Sequence, residues 1–251
     1  MGSPEIKNYK IVISYDGTRY YGWEHQPDQE LTIQGKLESV ISKLTGGETE
    51  VIGAGRTDAG VHAKGMVANF KAAVSFLEEE FKNNINHYLP DDICVTDLKV
   101  AGEKFHARYN TKGKTYRYTC YYGDDKPVFD RKYVYRLDAA PDMDLMKKTA
   151  EYLMGEHDYG AFCANARMKK STVRIVDSIE IKKKGPYITF TYHGTGFLRH
   201  MVRILTGTIL EAGYKKRTPE SVLDLFESKD RKKAGFTAPA QGLCLMNVEY
   251  N

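Results

Sequence analysis

The residues able to do chemistry are concentrated in one run, Gly53-Ala54-Gly55-Arg56-Thr57-Asp58-Ala59-Gly60-Val61-His62-Ala63. Gly55 and Gly60 permit sharp turns or close approach of another backbone. Asp58 lies between them, with Arg56 two residues back. A cation beside a carboxylate keeps it ionised, as a nucleophile or general base requires. The same residues also satisfy a purely structural reading. In that reading Asp58 closes an Asx-turn and Arg56 pairs with it.

Two further runs carry charge and aromatic surface together. In Arg108-Tyr109-Asn110-Thr111-Lys112-Gly113-Lys114-Thr115-Tyr116-Arg117-Tyr118, bases and tyrosines interleave on an expected strand. Alternation puts Tyr116 and Tyr118 on one face and Arg117 on the other. That suits a base-stacking platform beside a phosphate site, and equally a half-buried strand with a solvated basic face. In Thr195-Gly196-Phe197-Leu198-Arg199-His200-Met201-Val202-Arg203, the two arginines are four residues apart at the expected start of a helix. Cations there oppose the helix dipole at roughly 0.3–1 kcal/mol each. Anion binding, pairing with a buried carboxylate, or a plain solvated face would each account for them.

Other chemistries find no support. Gly53-x-Gly55 follows an expected strand but opens no helix, and Gly194-x-Gly196 lacks the rest of a nucleotide loop. Seven histidines form no metal-ligand spacing, and no serine nucleophile elbow is present. His62 and His200 read as loop or core histidines. No metal and no organic cofactor is expected.

These runs need a scaffold. Tyr9–Asp16 alternates as a strand. Thr32 then caps a helix with Ile33, Leu37, Val40, Ile41 and Leu44 on one face, ended by Gly46-Gly47. Strands follow at 50–54 and 66–72. A helix carries Leu77, Phe81, Ile85 and Tyr88 and stops before Pro90, and a strand covers 93–100. The second half repeats the order. It has a strand at 114–122, a helix through Met146, Ala150, Leu153 and Met154 closed by Gly155, and strands at 172–183 and 187–193. A helix at 199–212, a short helix at 219–227 and a strand at 243–250 complete it. Two β-α-β-β-α-β units predict an α+β chain of two ferredoxin-like halves joined into one extended mixed or antiparallel sheet, with helices packed on it.

Composition sets the outer bounds. The 251 residues are 41% hydrophobic and 28% charged, which excludes a disordered or collagen-like chain. The net charge of +4 excludes a histone-like polycation but not nucleic-acid binding, because the charge is uneven. Residues 101–120, 165–184 and 199–217 are all strongly basic, which leaves the remainder acidic. The stretch from Arg167 to Lys184, with Lys169 and Lys170, is a candidate phosphate-tracking surface. Four cysteines without close spacing, and the lack of an apolar leader-type or spanning stretch in this sequence, make a cytoplasmic location the expectation.

The runs also stand together as a set. Tyr15-Asp16-Gly17-Thr18 with Tyr21-Gly22-Trp23 comes first. Gly55 through Ala63, Phe105-His106-Ala107-Arg108, Lys114 through Tyr118, Phe197 through Arg203 and Gly242-Leu243-Cys244-Leu245 follow in order. This set resembles the tRNA pseudouridine synthase A family from Tyr9 to Tyr250. One departure is Glu24-His25 before Gln26, where the family usually has Gln directly after the Trp.

The resemblance implies an isomerase with the pseudouridine synthase fold that converts uridine to pseudouridine in the anticodon stem-loop of tRNA, at positions thirty-eight to forty. It implies no cofactor, no metal, and a homodimer in which one tRNA meets both copies. Residues 1–103 would carry the catalytic loop and 104–251 would complete the active-site cleft. Asp58 matches the essential residue, which either adds to C6 of the base or acts at the ribose while a glycal-type intermediate forms. Arg203 matches the arginine that pairs with it. Tyr116 matches the tyrosine that stacks on the target base and helps remove the C5 proton. Arg56 matches the residue that displaces the flipped nucleotide, and Leu243 packs beside the base. Substrate or RNA binding extends to Thr57, His62, Arg108, Lys114 and Arg199. The competing class is a non-catalytic RNA-binding protein of two RRM-like units, whose aromatic RNP1 pattern this sequence lacks.

Overall fold

A computed structural model describes residues 5–26, 29, 31–165 and 170–250. Among these, the strands are β1 (Ile6–Tyr15), β2 (Ile52–Gly53), β3 (His62–Ala73), β4 (Ile93–Ala101), β5 (Gly113–Tyr121), β6 (Tyr135–Arg136), β7 (Gly155–Asp158), β8 (Val173–Lys184), β9 (Tyr187–Gly194) and β10 (Leu243–Glu249). The helices are α1 (Ile33–Thr45), α2 (Glu78–Tyr88), α3 (Met143–Tyr152), α4 (Met201–Gly213) and α5 (Leu223–Ser228). The chain forms two compact units, Met1–Lys112 with Leu245–Asn251, and Gly113–Cys244. The division thus falls at Lys112/Gly113 rather than 103/104.

The first unit runs β1-α1-β2-β3-α2-β4, the order its sequence pattern predicts. Its strands are ordered β4-β1-β3-β10, with β2 paired to β3. Both β4 and β3 lie antiparallel to β1. Tyr9, Ile11, Ile13 and Tyr15 of β1 all point into the core, as period-2 alternation requires.

Helix α1 begins where Thr32 Oγ1 accepts the Gly35 N–H at 3.2 Å. It ends where Gly46 takes the left-handed conformation (φ 74°) that a Cβ would penalise. Its Ile33, Leu37 and Ile41 are fully buried. In α2 only Phe81 and Ile85 are buried. Leu77 and Tyr88, expected on the same stripe, are exposed because they lie at the N-cap and in the last turn, beyond the sheet contact.

A polar pair ties the segment after β4 to this sheet. Asn69 Nδ2 donates to Asn8 Oδ1 at 3.0 Å, and Asn69 Oδ1 accepts the Ala107 N–H at 2.8 Å. Asn8 Nδ2 in turn donates to the Gly102 and Phe105 carbonyls. Every hydrogen-bonding group of this buried pair is aimed at a partner, so the Phe105–Arg108 run is fixed in register. Tyr250 Oη also donates to Ala107 O.

The second unit orders its strands β5-β9-β8-β7, with the short β6 parallel to β5. Helix α4 is nearly all buried, and its threonines bond back to its own carbonyls, Thr206 to Val202 and Thr208 to Ile204. Phe236 O packs so close to Gly207 that any Cβ there would overlap it.

Three expectations are corrected in this unit. Helix α4 starts at Met201, because His200 is left-handed (φ 61°), so Arg199 precedes the helix instead of sharing its first turn with Arg203. Gly155 opens β7 rather than closing α3, which ends at Tyr152. The helix expected at 219–227 is a 3-10 turn, Pro219–Val222, followed by α5. Within the basic stretch at 167–184, Arg167 and Lys169 lie outside the described residues.

Candidate active site

Asp58 sits in the loop that joins β2 to β3, and the loop is anchored along its length. The Ala54 N–H donates to Val67 O at 2.8 Å as the chain leaves β2. The Trp23 N–H donates to Thr57 O at 3.1 Å, and the Gly60 N–H donates to Tyr20 O at 3.2 Å. The Val61 N–H closes the turn onto Asp58 O at 3.1 Å. Asp58 itself is half-buried, while Thr57 just before it is buried.

Side chains reinforce the backbone contacts. Tyr15 Oη and Thr57 Oγ1 are 2.8 Å apart in the interior. His62, buried at the start of β3, accepts the Gly17 N–H on Nδ1 at 3.1 Å. Asp16 Oδ1 lies 3.2 Å from the same nitrogen. As acceptor of an amide this nitrogen holds no proton, so Asp16 is a neighbour and not an ion-pair partner in that tautomer. Asp16 instead accepts from the Thr18 N–H at 2.9 Å and from the Thr18 hydroxyl.

Close approach explains Gly22. A Cβ on Gly22 would lie 2.6 Å from Thr57 O, and its φ of 99° is one that side-chain-bearing residues rarely adopt. The carbonyls of Gly22 and Trp23 accept the first amides of α1, from Ile33 and Gln34, at 3.1 and 3.0 Å. Trp23 is buried, and its indole fills the space a Gly53 side chain would need. Beyond the clamp, Arg19 pairs with Asp92 at 2.6 Å and Tyr20 Oη donates to Asp92 at 2.6 Å. Burial, then the bond to Asp92, pushes the Tyr20 hydroxyl pKa up to about 12. The run from Tyr15 to Trp23 is therefore a clamp on the Asp58 loop. Its types and spacing mark a motif in the sequence, but its positioning role needs the fold.

Arg56 reaches a carboxylate other than Asp58. Its Nη2 is 2.5 Å from Glu24 Oε1, at a largely exposed position. Arg56, Thr57 and Asp58 thus belong to one anchored loop, and His62 follows it at the start of β3. Arg108, also in the first unit, is exposed on a separate loop, where His106 Nδ1 accepts the Arg108 N–H at 3.2 Å.

In the second unit, Tyr116 lies on β5, paired across the ladder with Tyr192. It is buried and meets Phe197 edge to face at 5.3 Å. Tyr118 is fully buried and donates to Pro239 O at 2.8 Å, so it is a core residue and not part of a stacking platform. Burial pushes its hydroxyl pKa strongly up, and the nearby Arg203 charge partly offsets this. Arg203 sits in the first turn of α4, half-buried, with Nε donating to Ala238 O at 2.7 Å. The Ala238 N–H returns a bond to Arg203 O at 3.1 Å, so the arginine is held at both ends. Leu243 is buried at the start of β10, Lys114 is half-buried on β5, and Arg199 is exposed ahead of α4.

The first unit's loop can hold one carboxylate at a fixed point with an exposed cation close by in sequence. Among the described residues no group of three or more His, Cys, Asp or Glu could hold a metal ion.

A family model described as tRNA pseudouridine synthase matches residues 11–110 and 149–251. The chain is 45% identical over 246 residues to tRNA pseudouridine synthase A of Bacillus sp. (strain KSM-64), covering 98% of this chain and all of the relative. The protein of the same name from Clostridium kluyveri is 45% identical over 245 residues, and tRNA pseudouridine synthase A 2 of Bacillus anthracis is 41% identical over 245 residues. Each match again covers 98% of this chain and all of the relative.

Proposed function

The chain belongs to the tRNA pseudouridine synthase family and isomerises uridine to pseudouridine in tRNA, and we propose that Asp58 is its nucleophile and the anticodon stem-loop its target. The observation that carries the assignment is the anchoring of the Asp58 loop by the Tyr15–Trp23 clamp. A carboxylate that must meet one carbon of a flipped nucleoside gains from being held, because small misplacements are costly in rate.

The reaction breaks the N-glycosidic bond, turns the base, and joins C5 to C1′, with the C5 proton leaving to solvent and N1 taking up a proton in exchange. It is an isomerisation, so atoms and electrons balance without a co-reactant. Addition of Asp58 to C6 and action at the ribose through a glycal both require an ionised carboxylate. Arg203 supplies the opposing charge in this proposal, and its backbone-bonded Nε orients the guanidinium. Tyr116 stacks on the base and takes part in removing the C5 proton. Arg56 fills the place of the extruded nucleotide, whose unstacking costs a few kcal/mol. Thr57, His62, Leu243, Arg108, Lys114 and Arg199 complete the substrate and RNA contacts.

The enzyme acts as a cytoplasmic homodimer in this reading. The four cysteines, Cys94, Cys120, Cys163 and Cys244, lie far apart in sequence with no C-x-x-C pair, which supports a reducing compartment. No helix among the described residues is long and apolar enough to cross a membrane.

Mapping pseudouridine in tRNA from cells with and without the gene tests the target. Loss confined to the 3′ side of the anticodon stem-loop supports the proposal. Loss elsewhere in the tRNA, with that region unchanged, overturns it.

A further inference from the structure

The Arg56–Glu24 ion pair joins two segments that are already bonded to each other. The Trp23 N–H donates to Thr57 O at 3.1 Å, one residue from each partner. The backbone on both sides of Glu24 is pinned: Trp23 O accepts the Gln34 N–H at 3.0 Å, and the His25 N–H donates to Gln34 Oε1 at 2.9 Å. The Glu24 carboxylate is therefore delivered to Arg56 by a fixed frame rather than by a wandering chain. Yet 63% of the Arg56 side chain and 41% of the Glu24 side chain remain exposed. A polyanion can reach both.

We propose that Glu24 is a built-in competitor for Arg56, occupying the guanidinium in the free enzyme until a tRNA phosphate displaces it. The inference rests on the reading that Arg56 contacts RNA, with its side chain in the place of the extruded nucleotide and its guanidinium on an adjacent phosphate. A guanidinium binds carboxylate and phosphate with the same planar fork, so one acceptor replaces the other without rearranging the arginine. The exchange is feasible because an exposed ion pair is weak. After exchange, Glu24 is left as an anion beside the phosphate backbone. Every RNA that engages Arg56 therefore meets the same opposition, so Glu24 weakens RNA binding by one constant factor. Glu24 acts as an affinity-setting residue that reaches the substrate site through Arg56 and takes no part in bond making.

The test is a double-mutant cycle on the full chain, with an unmodified tRNA transcript as the probe. Dissociation constants and tritium release are measured for wild type, Glu24→Gln, Arg56→Gln and the double variant. Glu24→Gln should tighten binding about two- to five-fold, the range an exposed ion pair corresponds to. The gain should fall on Kd and KM and should vanish in the Arg56→Gln background. Glu24→Asp, which keeps the charge, should bind like wild type. Equal tightening in both backgrounds would make Glu24 an ordinary surface charge and overturn the proposal, as would unchanged or weaker binding by Glu24→Gln. Arg56→Gln that binds and turns over like wild type would instead remove the RNA role of Arg56 itself, and the competition with it.

Discussion

Tyr15 Oη and Thr57 Oγ1 lie 2.8 Å apart in the interior, although 42 residues separate them in sequence. Through this contact the end of β1 fixes the residue immediately before Asp58. The backbone bond from Trp23 to Thr57 holds the same residue from another direction. Thr57 is thus the point at which the scaffold sets the position of Asp58.

Tyr15→Phe keeps the ring and deletes this bond. The expected cost in stability is about 0.5–1.5 kcal/mol, measured by urea unfolding. Turnover should fall roughly ten- to hundredfold, because a small displacement of a reacting group is amplified in rate. Single-turnover tritium release from tRNA is the readout. A variant that is less stable but turns over at the wild-type rate would show that Tyr15 only supports the fold.

Gly22→Ala should be more severe. The added Cβ meets Thr57 O at 2.6 Å, and the backbone must hold a φ of 99°. The conformation alone costs of order 1–3 kcal/mol. Gly47→Ala is the control, since nothing lies within 4 Å of its Cβ. Thermal melts should separate the two variants by several degrees, and an equal effect would refute close approach at Gly22.

Acid stability should depend on Asp158, far in sequence from the Asp58 loop. Burial works to raise the Asp158 pKa, but the Lys229 ammonium and the hydrogen bonds from Thr172 and the Gly160 amide together lower it. The folded carboxyl therefore holds a proton less tightly than the unfolded one. Its contribution is complete above the ordinary Asp value of 3.8 and is lost as pH falls through the lowered folded value. Asp158→Asn should lower Tm by about 2–4 °C at pH 7, with the gap narrowing as pH falls below 3.8. A gap that does not change with pH would contradict the charge argument.

Much of the local structure was legible in the sequence. Thr32 and Gly46 bound α1 because capping is decided by the residues themselves. The inward face of β1 follows from alternation over a long strand. What the sequence hid depends on distant partners or on single backbone angles. Periodicity continued through Arg199 and His200, yet His200 turns left-handed and delays α4 to Met201. Strands β6 and β7 are too short for a period to emerge. Tyr118 alternates with Tyr116 as a stacking residue would, but its hydroxyl is bonded to Pro239 in the core. In the loop between β2 and β3, residue types identify Asp58 as the centre of interest. The sequence spacing of Arg56 and Asp58 suggested a mutual pair, whereas the fold brings Glu24 to Arg56.

The central claim is that the anchored carboxylate of Asp58 performs the isomerisation. Its most direct test is release of tritium from tRNA labelled at uridine C5, with wild type and Asp58→Asn compared at matched tRNA occupancy. The amide keeps the size and shape of the side chain and removes its negative charge. Wild type should release tritium, and Asp58→Asn should bind tRNA with similar affinity while releasing none above background. Release by Asp58→Asn at the wild-type rate would contradict the claim.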